Sequence, residues 1–190
     1  MKKLWFILFI FLTAPAFSQN IKKDIEKVLT GYSNTLKEKN ADSLMGFMYP
    51  KYFDVFPKDM MVNGLKKSFA DTGLVMNFGK VEVLSVSQPY TENNITYVLV
   101  NYTSDISITL SKTVSTLVAL DIMKKAYSDA FGEENVKVNT DTRTFDIKAN
   151  KYMFAIKDPA YGNRWWIVEK SPEIKDQLST VLPAKVWEIK

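Results

Sequence analysis

Apolar positions follow a helical period through the first third of the chain and then switch to alternation. Ile21, Ile25, Val28, Leu29, Tyr32 and Leu36 recur at i, i+3/i+4 and i+7, with Lys and Glu on the other positions. That stripe predicts an amphipathic helix over 21–39, with Asn40 at its end. A short second helix is predicted over 41–48, with Leu44, Phe47 and Met48 facing inward and Pro50 ending or kinking it. Tyr52, Phe53, Val55 and Phe56 form an aromatic cluster closed by Pro57. A third helix is predicted over 58–69 from Met60, Met61, Leu65 and Phe69, and Asp71-Thr72-Gly73 ends the helical part.

From Met76 the period becomes two. A strand is predicted over 78–88, a turn over Pro89-Tyr90-Thr91-Glu92-Asn93-Asn94, and a long strand over 95–110 rich in Val, Ile, Tyr and Thr. A strand of that length is expected to bend or carry a bulge. Residues 112–131 then return to helical spacing, with Gly132 where a C-terminal cap belongs. Strand character resumes over 136–148, with a break expected near Ala149-Asn150. The stretch 151–170 reads as a hairpin. Tyr152, Phe154 and Ile156 alternate with Met153, Ala155 and Lys157, a Pro-, Gly- and Asn-containing turn follows, and 164–169 carries both Trp165 and Trp166. Trp165 and Ile167 fall on one face of that strand, Trp166 and Val168 on the other. Both faces are apolar, so both need cover. The inserted helix, the C-terminal tail or a second subunit can supply it on the convex side. Pro183 is placed to open a last short helix holding Val186 and Trp187.

Helices first and antiparallel strands after give an α+β fold class. The order also resembles a known superfamily. An opening helix, then Asn40-Ala41-Asp42-Ser43-Leu44-Met45 starting a second, then a strand meander ending in Arg164-Trp165-Trp166-Ile167-Val168, looks like the NTF2-like (SnoaL-like) cone. The resemblance covers 21–170 and implies a curved sheet wrapped around a long N-terminal helix, with a pocket at the open end. The inserted helix 112–131 and the helical tail 171–190 depart from the compact family pattern.

The first 18 residues, MKKLWFILFIFLTAPAFS, have two lysines, an unbroken apolar run from Leu4 to Leu12, and small residues Ala16 and Ser18 before Gln19. That is the pattern of a secretory signal peptide, and its apolar run is shorter than the roughly 20 residues a bilayer span needs. The reading is therefore a signal peptide at 1–18 and one α+β domain at 19–190, exported to the periplasm or beyond the cell, with no membrane span after cleavage. Two of the four excess positive charges lie in the leader, and the remainder are mixed with Asp and Glu. Nucleic acid is not an expected partner.

Composition removes several chemistries. The chain has no histidine and no cysteine. Histidine-based triads, thiol catalysis, disulfides and the usual zinc or iron–sulfur sites need those residues. Seven glycines occur, none at phosphate-loop spacing. No metal and no cofactor is expected. Carboxylate and phenol chemistry remains. Some members of the resembled superfamily isomerise or dehydrate small hydrophobic molecules with a pocket Asp and Tyr. The candidates here are Asp54, in the aromatic cluster after Tyr52, and Asp105, after Tyr102 in a strand. They qualify only if buried beside a tyrosine, where desolvation raises a carboxyl pKa; isolated acids more often face solvent. Tyr97, Trp165 and Trp166 are the candidates for lining a pocket around an apolar ligand, against ordinary core packing. Three functions follow: an exported non-catalytic binding or accessory domain for a small apolar ligand or an envelope protein, a cofactor-independent isomerase or dehydratase, and a structural protein whose pocket is filled. A homodimer is left open.

Overall fold

A computed structural model describes residues 14–112 and 116–190, with the side chains of 14–19 outside the description. Most of the leader, 1–13, lies outside the described residues, as does 113–115. Among the described residues the chain is α+β, with a six-stranded sheet whose strands pair antiparallel.

Helix α1 (Ala14–Lys37) carries the predicted stripe, and Ile25, Leu29 and Ser33, one turn apart, are its most buried positions. Lys39 turns the chain at φ 54°, and the next helix starts at once. Asn40, expected to end the first helix, instead caps the second: its Oδ1 accepts from the Ser43 N–H at 3.0 Å. Helix α2 (Ala41–Leu44) is one turn long, shorter than the predicted 41–48. The chain leaves helix there because Met48 bridges in parallel to Ile167 at the sheet edge. Pro50 opens a tight turn, Pro50–Asp54, before α3 (Lys58–Ala70). The Asp71 carboxylate then accepts from the Gly73 and Leu74 N–H groups and launches the first strand.

Two long strands form the middle of the sheet. Strand β3 (Ile95–Leu110) pairs with β5 (Thr144–Lys157) without a register shift from Thr96↔Lys157 to Thr109↔Thr144. The break expected at Ala149-Asn150 is absent: Ala149 pairs with Ser104 and is fully buried. On the other side of β3 lie β1 (Leu74–Val86) and the three-residue β2 (Tyr90–Glu92). Residues 89–94, expected as a turn throughout, therefore hold a strand, and the turn is confined to Asn93-Asn94, both at positive φ. The irregularity expected of β3 sits in its partner: β1 shifts register between Phe78 and Val81 and again between Val83 and Ser85. Beyond β5 lie β4 (Val136–Asn139) and β6 (Trp166–Glu169), side by side along the same edge.

Between β3 and β4 the chain forms α4 (Leu117–Phe131), capped by Thr116 at its start and by Gly132 at φ 90° at its end. Its Tyr127 ring meets Phe145 at 5.2 Å. Phe145, Ala149, Met153 and Ala155 share one face of β5 by alternation. Helix α1 covers that same face, since Ile21 and Asp24 line one groove with Trp165, in step with Ile167 and its pair Ala155. The inserted helix thus does not cover the opposite face. The C-terminal tail covers the Phe154 end of it, while Asp146, Lys148, Asn150 and Tyr152 stay exposed: the Trp187 ring packs edge-on against Phe154 at 5.2 Å, and Leu178, Leu182 and Val186 are buried in the same cluster. The tail is a series of short 3-10 helices, and the last, Ala184–Glu188 with Pro183 as its N-cap, holds Val186 and Trp187 in the short helix expected there, in 3-10 geometry. Among the described residues no helix is long and apolar enough to cross a membrane.

Candidate ligand-binding groove

The aromatic residues singled out by sequence are divided between the two faces of the sheet. Tyr97 pairs with Ile156 and Ile156 with Trp166, so Tyr97 and Trp166 lie in one row on the Phe154 face. Tyr97 is core, 2% exposed and set 6.3 Å from the Tyr90 ring. Trp166 is half-buried beneath the Arg164 guanidinium, 4.1 Å from its ring centre. Trp165 lies on the opposite face, in a groove of about 390 Å3 with Ile21, Asp24 and Lys157, whose ammonium is 5.8 Å from its ring. The structure does not bring the three together.

Asp54 and Asp105 are both exposed. Asp105 lines a groove of about 450 Å3 with Asn77, Asp146 and Lys148, and no tyrosine lines it. Neither residue is buried beside a tyrosine.

The buried carboxylate belongs to Asp158, which the sequence presents as a turn residue. Its Oδ1 accepts from the Ala160 N–H at 2.9 Å and caps the Pro159–Tyr161 turn. Its Oδ2 accepts from the Tyr49 hydroxyl at 2.6 Å. Tyr49 is brought there by the edge of β6, where its N–H donates to the Ile167 carbonyl. Asp158 is 3% exposed and Tyr49 is fully buried. Burial and the bond to Asp158 push the Tyr49 phenol far above its ordinary range. Burial, then the Asp158 charge, pushes Tyr97 up to about 12. This carboxylate has a committed partner on each oxygen, so it is built to hold the turn onto β6.

The groove with the strongest binding chemistry lies on the Phe154 face, beneath the tail. Tyr152, Lys170, Pro172, Lys175 and Trp187 line a cavity of about 490 Å3. Alternation puts Tyr152 beside Phe154 on that face. The Lys170 N–H donates to the Tyr152 carbonyl at 3.0 Å and carries the chain past β6. Pro172 starts the turn that swings the tail outward, and Leu178 and Leu182 pin its return. The Lys170 ammonium stands 5.4 Å over the Phe154 ring and reaches the Ile189 carbonyl at 3.4 Å. Burial, then repulsion from Lys175, lowers its proton affinity. Among the described residues neither lysine has a carboxylate partner. Trp187 Nε1 is buried without a partner, and so is Oδ1 of Asn101, the residue paired with Tyr152. Sequence reasoning missed this site because the tail's turns carry no periodicity. The two lysines and Trp187 were its only legible signal.

Among the described residues no group of three or more acidic side chains is placed to hold a metal ion. No family model matches the chain, and no curated protein matches it. Among solved structures, the intermembrane space region of chloroplast protein ARC6 aligns with 79% of this chain and 94% of that chain, at 16% identity and a TM-score of 0.40.

Proposed function

We propose that this protein is an exported, non-catalytic binding domain of NTF2-like architecture, and that it holds a small ligand in the groove beneath its C-terminal tail. The observation that carries this reading is the groove itself: a cavity of about 490 Å3 walled by Tyr152, Pro172 and Trp187, with no carboxylate in its lining. Ligand pockets are concave, mostly apolar and on the order of 300–1,000 Å3. The burial of Asp158, 3% exposed and bonded to Tyr49 and the Ala160 N–H, supports binding over proton transfer, since a general base must come within hydrogen-bond reach of its substrate. The NTF2-like part of the proposal rests on the order of elements, N-terminal helices against an antiparallel sheet. Export rests on the leader pattern.

The test is a titration of the protein with the uncharged fluorophore N-phenyl-1-naphthylamine, read by energy transfer from tryptophan. Saturable binding that weakens several-fold on Tyr152→Ala is expected. Binding indifferent to Tyr152 and Trp187 refutes the groove. Mass spectrometry of protein recovered from a secreting host checks export, with Gln19 as the expected first residue.

A further inference from the structure

We infer that the ligand of the tail groove is a small organic anion, a carboxylate or sulfonate on a flat apolar body. Lys170 and Lys175 hold the anion, and Tyr152, Pro172 and Trp187 hold the body. The inference rests on the binding reading above and narrows it to one chemical class.

The lining of the groove is charge-asymmetric. Among the described residues, two of the five lining side chains are lysines and none is acidic. Two of the acids nearest in sequence are taken elsewhere, and Asp176 and Glu188 do not line the groove. Glu169 pairs with Lys151 at 2.8 Å and, in register with Met153, belongs to the opposite face. Glu173 accepts from the Ser171 hydroxyl. Both lysines thus line one cavity, neither has a carboxylate partner among the described residues, and the charge of Lys175 works against that of Lys170. Ordinary surface lysines gain little from a partner because water already solvates them. Lys170 is different: its stem is half-buried, its head stands over the Phe154 ring, and both burial and Lys175 work against its proton. An anion placed between the two amines removes that repulsion and makes charge-assisted hydrogen bonds to both. A neutral ligand leaves it in place.

The walls set the rest of the ligand. Tyr152 is 45% exposed at the margin of the tail's cover: Phe154 and Ile156 on the same face are buried, whereas Lys148 and Asn150 are exposed. Trp187 stands across the groove from it with its ring braced edge-on by Phe154. Such walls suit a flat ring system. The cavity has room for one or two rings, well short of a folded partner surface.

The experiment uses two probes of one skeleton on the full chain. The anionic probe is 1-anilinonaphthalene-8-sulfonate; the neutral one is N-phenyl-1-naphthylamine, the same molecule without the sulfonate. Wild type is expected to bind the anionic probe at least about tenfold more tightly, with the preference shrinking as ionic strength rises from about 0.05 to 0.5 M. K170Q/K175Q is expected to erase the preference, the anionic probe's Kd rising to that of the neutral one. K170M, which keeps the stem over Phe154, controls for packing and is expected to lose most of the preference at an unchanged melting temperature. Equal affinities in wild type, or a preference that survives K170Q/K175Q, overturns the anion assignment. If Tyr152→Ala still weakens both probes in that case, the groove stands as a binding site for neutral ligands. If neither probe responds to Tyr152→Ala or Trp187→Leu, the binding reading falls as well.

Discussion

Removing one oxygen atom, in Tyr49→Phe, tests whether the buried Tyr49–Asp158 contact holds the two ends of the fold together. The hydroxyl donates to Asp158 Oδ2 at 2.6 Å, across 109 residues of sequence and with both side chains inside the core. Phenylalanine fills nearly the same volume and keeps the edge contact with Tyr161, so no sizeable cavity opens. What is lost is a hydrogen bond to a charged acceptor, and what remains is a buried carboxylate oxygen with no donor. A bond of that kind contributes about 2 kcal/mol. For a chain of this length each kcal/mol moves the melting temperature by about 2–4 °C, so a drop of about 4–8 °C is expected. Asp158→Ala removes the same bond and the cap on Ala160 N–H, and is expected to cost about 1 kcal/mol more. In the Asp158→Ala background, Tyr49→Phe should then be nearly silent, giving a coupling of about 1–2 kcal/mol in a double-mutant cycle. Urea denaturation of the four proteins supplies the numbers. A Tyr49→Phe shift below about 0.5 kcal/mol, or full additivity with Asp158→Ala, refutes the reasoning and makes the contact incidental.

Alkali should unfold the protein through its buried phenols. Burial, then the charge of Glu169, pushes Tyr32 up from its ordinary value of 10 to about 12, and Tyr97 reaches about 12 for the reason given above. A raised phenol stabilises the fold fully below pH 10 and loses that contribution as pH climbs through 12, so absorbance at 295 nm and circular dichroism should change together in that window. Gly79→Ala should destabilise by about 1–3 kcal/mol, because a Cβ there meets Asp105 Cβ at 2.8 Å; Asp105→Gly in the same chain should recover part of the loss in a denaturant melt. Leu182→Ala, at a position 1% exposed where the tail docks, should cost about 2–5 kcal/mol by the same measurement, and a loss under 1 kcal/mol would mean the tail is loosely held.

Long, strongly patterned segments were legible in the sequence. The β-branched run of β3 was read to its exact ends, α3 to within one residue and the Gly132 cap in place, whereas α1 starts seven residues before and α4 five residues after the start read for it. Their signals are local: a period, a cap, a run. The misreadings came where a distant residue decides the outcome. Residues 45–48 left helix for a bridge to Ile167, a partner more than a hundred positions away. Ala149-Asn150 continued as strand because Ser104 holds Ala149 in the ladder. The two-faced apolar character of the Trp165-Trp166 strand was read from alternation alone, and so was the need to cover both faces; which element covers which face was not. Asp158 looked like turn chemistry and is turn chemistry, but its burial depends on Tyr49. No pattern around Asp54 or Asp105 distinguished them from exposed acids, and both are exposed.

The unbroken β3–β5 ladder passes beneath two separate apolar clusters, and this divides the molecule's cooperativity. One cluster, around Phe154, Val98 and Leu182, unites α1, the sheet and the tail; the other, around Phe145, Ile108 and Leu120, is closed by α4. The smaller cluster can be released by detaching one helix while the rest of the ladder stays paired. Such partial openings have their own free energies, below that of global unfolding. Amide hydrogens of α4 should therefore exchange with solvent well before those of 98–101 and 153–156, which wait for the whole chain to unfold. The inserted segment behaves as a separable module mounted on a common girder, and its sequence can drift, or be replaced, without the tail groove registering the change.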